Sequence, residues 1–226
     1  MSDWSIAKEL CMASGADSLE EALYRLGVLP RHERFRNYVV HQDWRRGGAE
    51  TYIYHFEVIA SSGRSVPLLL KAFTPSTIIG TIDEGLQQLI QRRRLLATNG
   101  IAVPVLYYVG RGVVLEQYIP FSLKERLELI ARTESMLFAV LVQLFDLAET
   151  LDELGFAPIA PFDDLRIDND RVYVIDFGED LGPPLAVTPG SVSEDSLIQW
   201  LDAGPLMIPS ETLSRARMSA HERHTL

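Results

Sequence analysis

Two β-patterned runs on either side of a short turn constrain this chain more than any other feature. Thr51-Tyr52-Ile53-Tyr54-His55-Phe56-Glu57-Val58-Ile59 is dense in aromatic and β-branched residues, and Val66 to Phe73 follows the turn Ser61-Ser62-Gly63-Arg64. Such side chains fit a pleated, half-buried surface, so an antiparallel hairpin is predicted here. Tyr38-Val39-Val40 reads as an earlier strand. A helix is predicted from Asp83 to Thr98, closed by Asn99-Gly100. Val105 to Val109 and Gly112 to Tyr118 read as two further strands around Gly110-Arg111. The aromatic run Tyr52–Phe56 is read as sheet core rather than as a stacking platform for bases.

The pattern changes after Pro120. Residues 122–131 and 134–154 read as helices, the second apolar on more than one face and therefore central. Residues 164–176 look like a hairpin, and 190–226 hold one helix near Asp195–Leu201 and a weaker segment near the end. Ahead of the strands, 4–13 and 18–26 read as two short helices, with Ser18 and Glu21 as a capping pair and Gly27 as a stop. The expected fold is α+β in two lobes joined near Tyr118–Phe121. Its parts are an N-terminal helical extension over 1–37, a sheet lobe over 38–119 and a reduced, mostly helical lobe over 120–226. Clefts between lobes are favoured ligand sites.

Charge and cysteine content narrow the function classes. A net charge of −10 over 226 residues argues against broad binding to nucleic acid or an anionic membrane. Arg92-Arg93-Arg94 is the one dense basic run, read as a solvated helix face. Cys11 is the single cysteine, so there is no disulfide framework. Met1-Ser2-Asp3-Trp4 lacks the basic-then-apolar pattern of a secretory leader, and no apolar run is long enough to span a membrane. A cytoplasmic location is expected. His32, His41, His55, His221 and His224 show no metal-ligand spacing in sequence and receive no role.

Several segments then carry a resemblance. Val174-Ile175-Asp176-Phe177-Gly178 is an apolar strand ending in D-F-G, and Leu68-Leu69-Leu70-Lys71 is an apolar strand ending in lysine. Arg45-Arg46-Gly47-Gly48-Ala49 precedes the long β run, and Val113-Val114-Leu115-Glu116-Gln117-Tyr118-Ile119-Pro120 leads out of the first lobe. Asn99 to Pro104 and Leu151 to Phe156 complete an ordered set over roughly 38–180. This set resembles the protein-kinase-like superfamily, nearest to its aminoglycoside-phosphotransferase, RIO and lipopolysaccharide-core kinase branches. Only 48 residues follow Gly178, and Ser193 to Trp200 looks like the single helix that follows the metal loop in such minimal kinases.

The resemblance implies a bilobal kinase-like fold with ATP and Mg²⁺ between the lobes. Lys71 would hold phosphates, Gly47 and Gly48 would form the phosphate-covering turn, and Glu116 and Tyr118 would be hinge residues contacting the nucleotide. The helix glutamate that pairs with the lysine falls near Gln88, with Glu84 one turn earlier. Asp176 would hold metal.

The catalytic loop has two registers. In one, Asp164 is the base and Asn169 a metal ligand. Seven residues of extended strand then separate Asn169 from Asp176 by roughly 23 Å, too far to share an ion. In the other, a hairpin centred on Asp170 sets Leu165 against Ile175 and Ile167 against Tyr173, and brings Asp164 opposite Asp176. Two adjacent carboxylates suit a bound Mg²⁺. This second register is the reading adopted, with Asp164 and Asp176 as metal ligands. The base position then falls at Ile159, within a segment that lacks an acid or a histidine, and Asp163 is the nearest substitute. The expected function is an atypical small kinase acting on a protein or small-molecule hydroxyl. The alternative is a pseudokinase that senses nucleotide and works through a partner.

Overall fold

The computed structural model describes residues 3–47, 51–73, 82–110, 112–131, 133–156, 162, 165–175, 192–204 and 207–224. The chain divides into two compact units, Met1–Gln91 with Pro104–Tyr118, and Arg92–Val103 with Ile119–Leu226. Its class is α+β with antiparallel sheets. Among the described residues no helix is long and apolar enough to cross a membrane.

The first unit is built on a five-stranded sheet. Its strands are β1 (Phe35–Gly47), β2 (Thr51–Ala60), β3 (Ser65–Phe73), β4 (Leu106–Gly110) and β5 (Val113–Gln117), in the order β1-β2-β3-β5-β4. Alternation along β3 sends Val66, Leu68 and Leu70 into the core and leaves Pro67, Leu69 and Lys71 half-buried on the opposite face. Helices α1 (Asp3–Ser14) and α2 (Leu19–Arg25) lie before the sheet in sequence. Their Ile6, Leu10, Ala22 and Leu23 share one core with Tyr54, Phe56, Val58, Leu68, Leu70 and Leu115. Ser18 caps α2 by accepting from the Glu21 amide at 3.3 Å. Helix α3 (Ile82–Thr98) stops at Gly100 with φ +84, where the Ile101 amide returns to the Leu96 carbonyl at 3.1 Å.

In the second unit, α5 (Glu134–Glu153) has buried residues around most of its circumference, among them Val140, Leu141, Leu144, Phe145 and Ala148. Helices α6 (Val192–Ala203) and α7 (Ser210–His224) pack against it, as does α4 (Leu123–Ile130). A three-stranded sheet, β6 (Phe121–Ser122), β7 (Leu165–Asp168) and β8 (Arg171–Val174), is ordered β6-β7-β8. Gln143 of α5 ties this hairpin down. Its Nε2 donates to the Asp170 carbonyl at 2.8 Å, and its Oε1 accepts from the Val172 amide at 3.0 Å. The Val174 amide donates to the Ala102 carbonyl at 3.0 Å.

Four sequence expectations are corrected. Strand β1 runs to Gly47, well past Val40, because irregularities in its ladder with β2 accommodate a polar continuation. The β7–β8 hairpin sets Leu165 against Val174 and Ile167 against Val172, one residue from the expected register. Asn169 and Asp170, with φ of 47° and 60°, form a two-residue turn of the type I′ kind, which closes the ladder at Asp168–Arg171. Of the basic run, Arg93 is buried and only Arg94 is fully on the surface, because a helix turns successive residues to different faces. The weak terminal segment is the full helix α7. Arg223 and His221 pair there with Asp146 and Glu149 of α5, at 2.9 and 3.1 Å.

Candidate functional site

The half-buried face of the first unit's sheet gathers the charged and aromatic residues of interest. Lys71 faces Val114 across the β3–β5 ladder, and Glu116 faces Leu69. Both side chains therefore emerge on the same face, two positions apart along the ladder. Lys71 Nζ lies 3.0 Å from Glu116 Oε1, with the glutamate side chain 2% exposed and the lysine 13%. A carboxylate so deeply buried demands a cation or strong donors, and the lysine ammonium provides a cation. Lysine carries three donors on a compact charge, so the same ammonium can also engage an anionic ligand.

Glu116 thus enters the site through its side chain. The amides just beyond it serve the sheet: the Gln117 N–H donates to Val105 O at 2.8 Å and the Tyr118 N–H to Pro67 O at 3.1 Å. The Tyr118 ring stacks on His55 at 3.6 Å between centroids, with a 22° interplanar angle. His55 in turn lies 4.8 Å from the His41 ring. Burial pushes the His55 pKa down and neighbouring His41 adds to this, while Glu57 opposes it.

The resemblance points to α3 for the lysine's partner and to Glu116 as a hinge residue contacting the nucleotide, whereas the ladder makes Glu116 itself the partner. The Glu116 pairing was hidden because it depends on ladder register, which sets two residues 45 positions apart on one sheet face. Glu84 and Gln88 are exposed on α3. The five histidines looked scattered, yet β1 and β2 bring His41 and His55 together. Gly47 is the last residue of β1. Gly48, Asp163, Asp164 and Asp176 lie outside the described residues, as does the segment 157–161 read as lacking a base.

The chain matches no family model and no curated protein in sequence.

Proposed function

We propose that this chain is an atypical small phosphotransferase of the protein-kinase-like type, using Mg-ATP to phosphorylate a protein or small-molecule hydroxyl. The observation that carries this reading is the Lys71–Glu116 pair, a lysine on a central strand with a buried carboxylate fixing its ammonium. A positioned lysine of that kind suits the phosphates of a nucleotide. The strand order β1-β2-β3-β5-β4, with α3 between β3 and β4 in sequence, supports the same reading. Asp164 and Asp176 would supply hard oxygen ligands of the type Mg²⁺ prefers, a role that rests on the resemblance and not on their facing each other across the hairpin, where Leu165 pairs with Val174. In the reaction the acceptor oxygen bonds to the γ-phosphorus as the bond to the β–γ bridging oxygen breaks, and ADP leaves. Asp163 takes the hydroxyl proton.

A second reading, a pseudokinase that holds nucleotide without transferring phosphate, draws on Ala157 to Phe162, which contains no acid, base or histidine. Transfer of labelled γ-phosphate from Mg-ATP, with and without cell lysate, separates the two. Label that disappears in both Asp176→Ala and Lys71→Met supports the phosphotransferase. Nucleotide-dependent stabilisation without label supports the pseudokinase. Absence of nucleotide binding overturns both.

A further inference from the structure

A second cluster on the first unit's sheet is not used by the reading above. His41, His55 and Glu57 each present a ligand atom, all within 4.8 Å of one another. His41 Nε2 is 3.1 Å from Glu57 Oε1, close to the ~3.3 Å between neighbouring ligand atoms on a tetrahedral ion with ~2.0 Å bonds. The β1–β2 ladder slips by one residue between the pairs Val40–Phe56 and Gln42–His55, making His41 the extra residue of a bulge. Bulges re-aim side chains, and this one brings His41 to His55 and Glu57. Ser65 Oγ donates to Glu57 Oε2 at 2.8 Å, which holds one carboxylate oxygen and leaves the other toward His41. Such outer hydrogen bonds orient metal ligands.

The remaining observation is an orphan. His55 Nε2 is buried and has no hydrogen-bond partner among the described residues. A buried imidazole nitrogen left unsatisfied calls for an explanation, and a metal ion is one. Stacking on Tyr118 sets the plane of its ring.

We propose that His41, His55 and Glu57 bind a divalent first-row transition-metal ion of the zinc type, with water completing the coordination shell. Two imidazoles and one carboxylate form a ligand set known for zinc sites with an open position. His41 and Glu57 are 39% and 33% exposed, so the site is open to solvent on that side. Closing the wider ligand spacings by up to ~1.5 Å toward tetrahedral values asks for side-chain rotation of these two half-exposed residues. Imidazole ligands favour zinc, copper and nickel over magnesium, so the site is chemically distinct from one for Mg-ATP.

The test uses the full chain stripped of metal by chelator, titrated with Zn²⁺ and followed by calorimetry and thermal unfolding. One equivalent of Zn²⁺ is expected to bind and raise Tm, a shift that His41→Ala should diminish and that Mg²⁺ at the same concentration should not reproduce in size. Co²⁺ is expected to give the visible bands of a tetrahedral site. His41→Ala, a substitution at an exposed side chain, should weaken Zn²⁺ binding at least 10-fold, and Ser65→Ala should weaken it about 10-fold. The double variant His221→Ala/His224→Ala, on α7, should bind as wild type. Absence of a zinc-dependent Tm shift, or unchanged affinity in His41→Ala, overturns the proposal. Neither result bears on phosphate transfer, which reads Lys71 and Asp176.

Discussion

Lys71 and Glu116 form an ion pair that runs diagonally across the β3–β5 ladder, the lysine opposite Val114 and the glutamate opposite Leu69. With the carboxylate 2% exposed, the pair matters for stability as well as for any ligand. Removing one member of a buried pair costs about 3 kcal/mol or more, whereas removing both charges costs much less. Lys71→Met is therefore expected to lower unfolding free energy by about 3 kcal/mol, and Lys71→Met/Glu116→Gln to recover part of that loss. A double-mutant cycle by urea denaturation should return a coupling of roughly 1–3 kcal/mol. Additive effects would show that the pair contributes nothing specific.

The Gln143 side chain bonds to the β7–β8 hairpin much as a peptide group would, donating to Asp170 O and accepting from Val172 N. Gln143→Leu strips a donor and an acceptor from this contact at once. A loss of about 2 kcal/mol is expected, together with faster amide exchange at Val172. Wild-type protection at that amide would refute the assignment.

The opposite sign is expected at the turn. Asp170 holds φ at +60°, and its Oδ1 is buried without a hydrogen-bond partner among the described residues. Asp170→Gly relieves both the left-handed backbone and the orphaned oxygen, and it leaves the carbonyl that Gln143 uses. Chemical denaturation should show a gain of about 1 kcal/mol. A loss would mean that the Asp170 carboxylate contributes more than its surroundings indicate.

His55 makes stability depend on pH. Its pKa is held below the usual 6.5, first by burial and then by His41, against the opposing pull of Glu57, and Tyr118 covers its ring. The folded state then binds fewer protons than the unfolded state. Stability is expected to fall as pH drops below 6.5, with the loss complete beneath the depressed folded pKa. His55→Gln should flatten that part of the stability-versus-pH curve, measured without added metal. An identical slope in the variant would assign the titration elsewhere.

What could be read from the chain alone was local. The runs around Ser61–Arg64, the helix ending at Asn99-Gly100 and the apolar circumference of α5 all announce themselves through side-chain chemistry within a few residues. Most of the misses depend on partners distant in sequence, and one depends on a local turn. The polar end of β1 is a strand because β2 pairs with it through Gly47–Thr51. The hairpin register followed from a turn conformation that Asn169 and Asp170 adopt together. Helix α7 buries a face of small residues, Thr212, Ala216 and Ala220, which is a weak hydrophobic signal, and it also pairs with α5 through Arg223–Asp146. The Lys71–Glu116 and His41–His55 juxtapositions are likewise products of ladder register, which single-strand patterns do not carry.

One consequence of the hairpin's anchoring concerns neighbouring molecules. Strand β8 is the last in its sheet, and such a margin ordinarily offers a row of backbone donors on which a foreign strand can add. Here the Val172 amide is spent on Gln143 and the Val174 amide on Ala102. With these alternate donors engaged, the margin presents no run of open N–H groups to template intermolecular pairing, so the same contacts that fasten the hairpin also protect the protein against self-association through it.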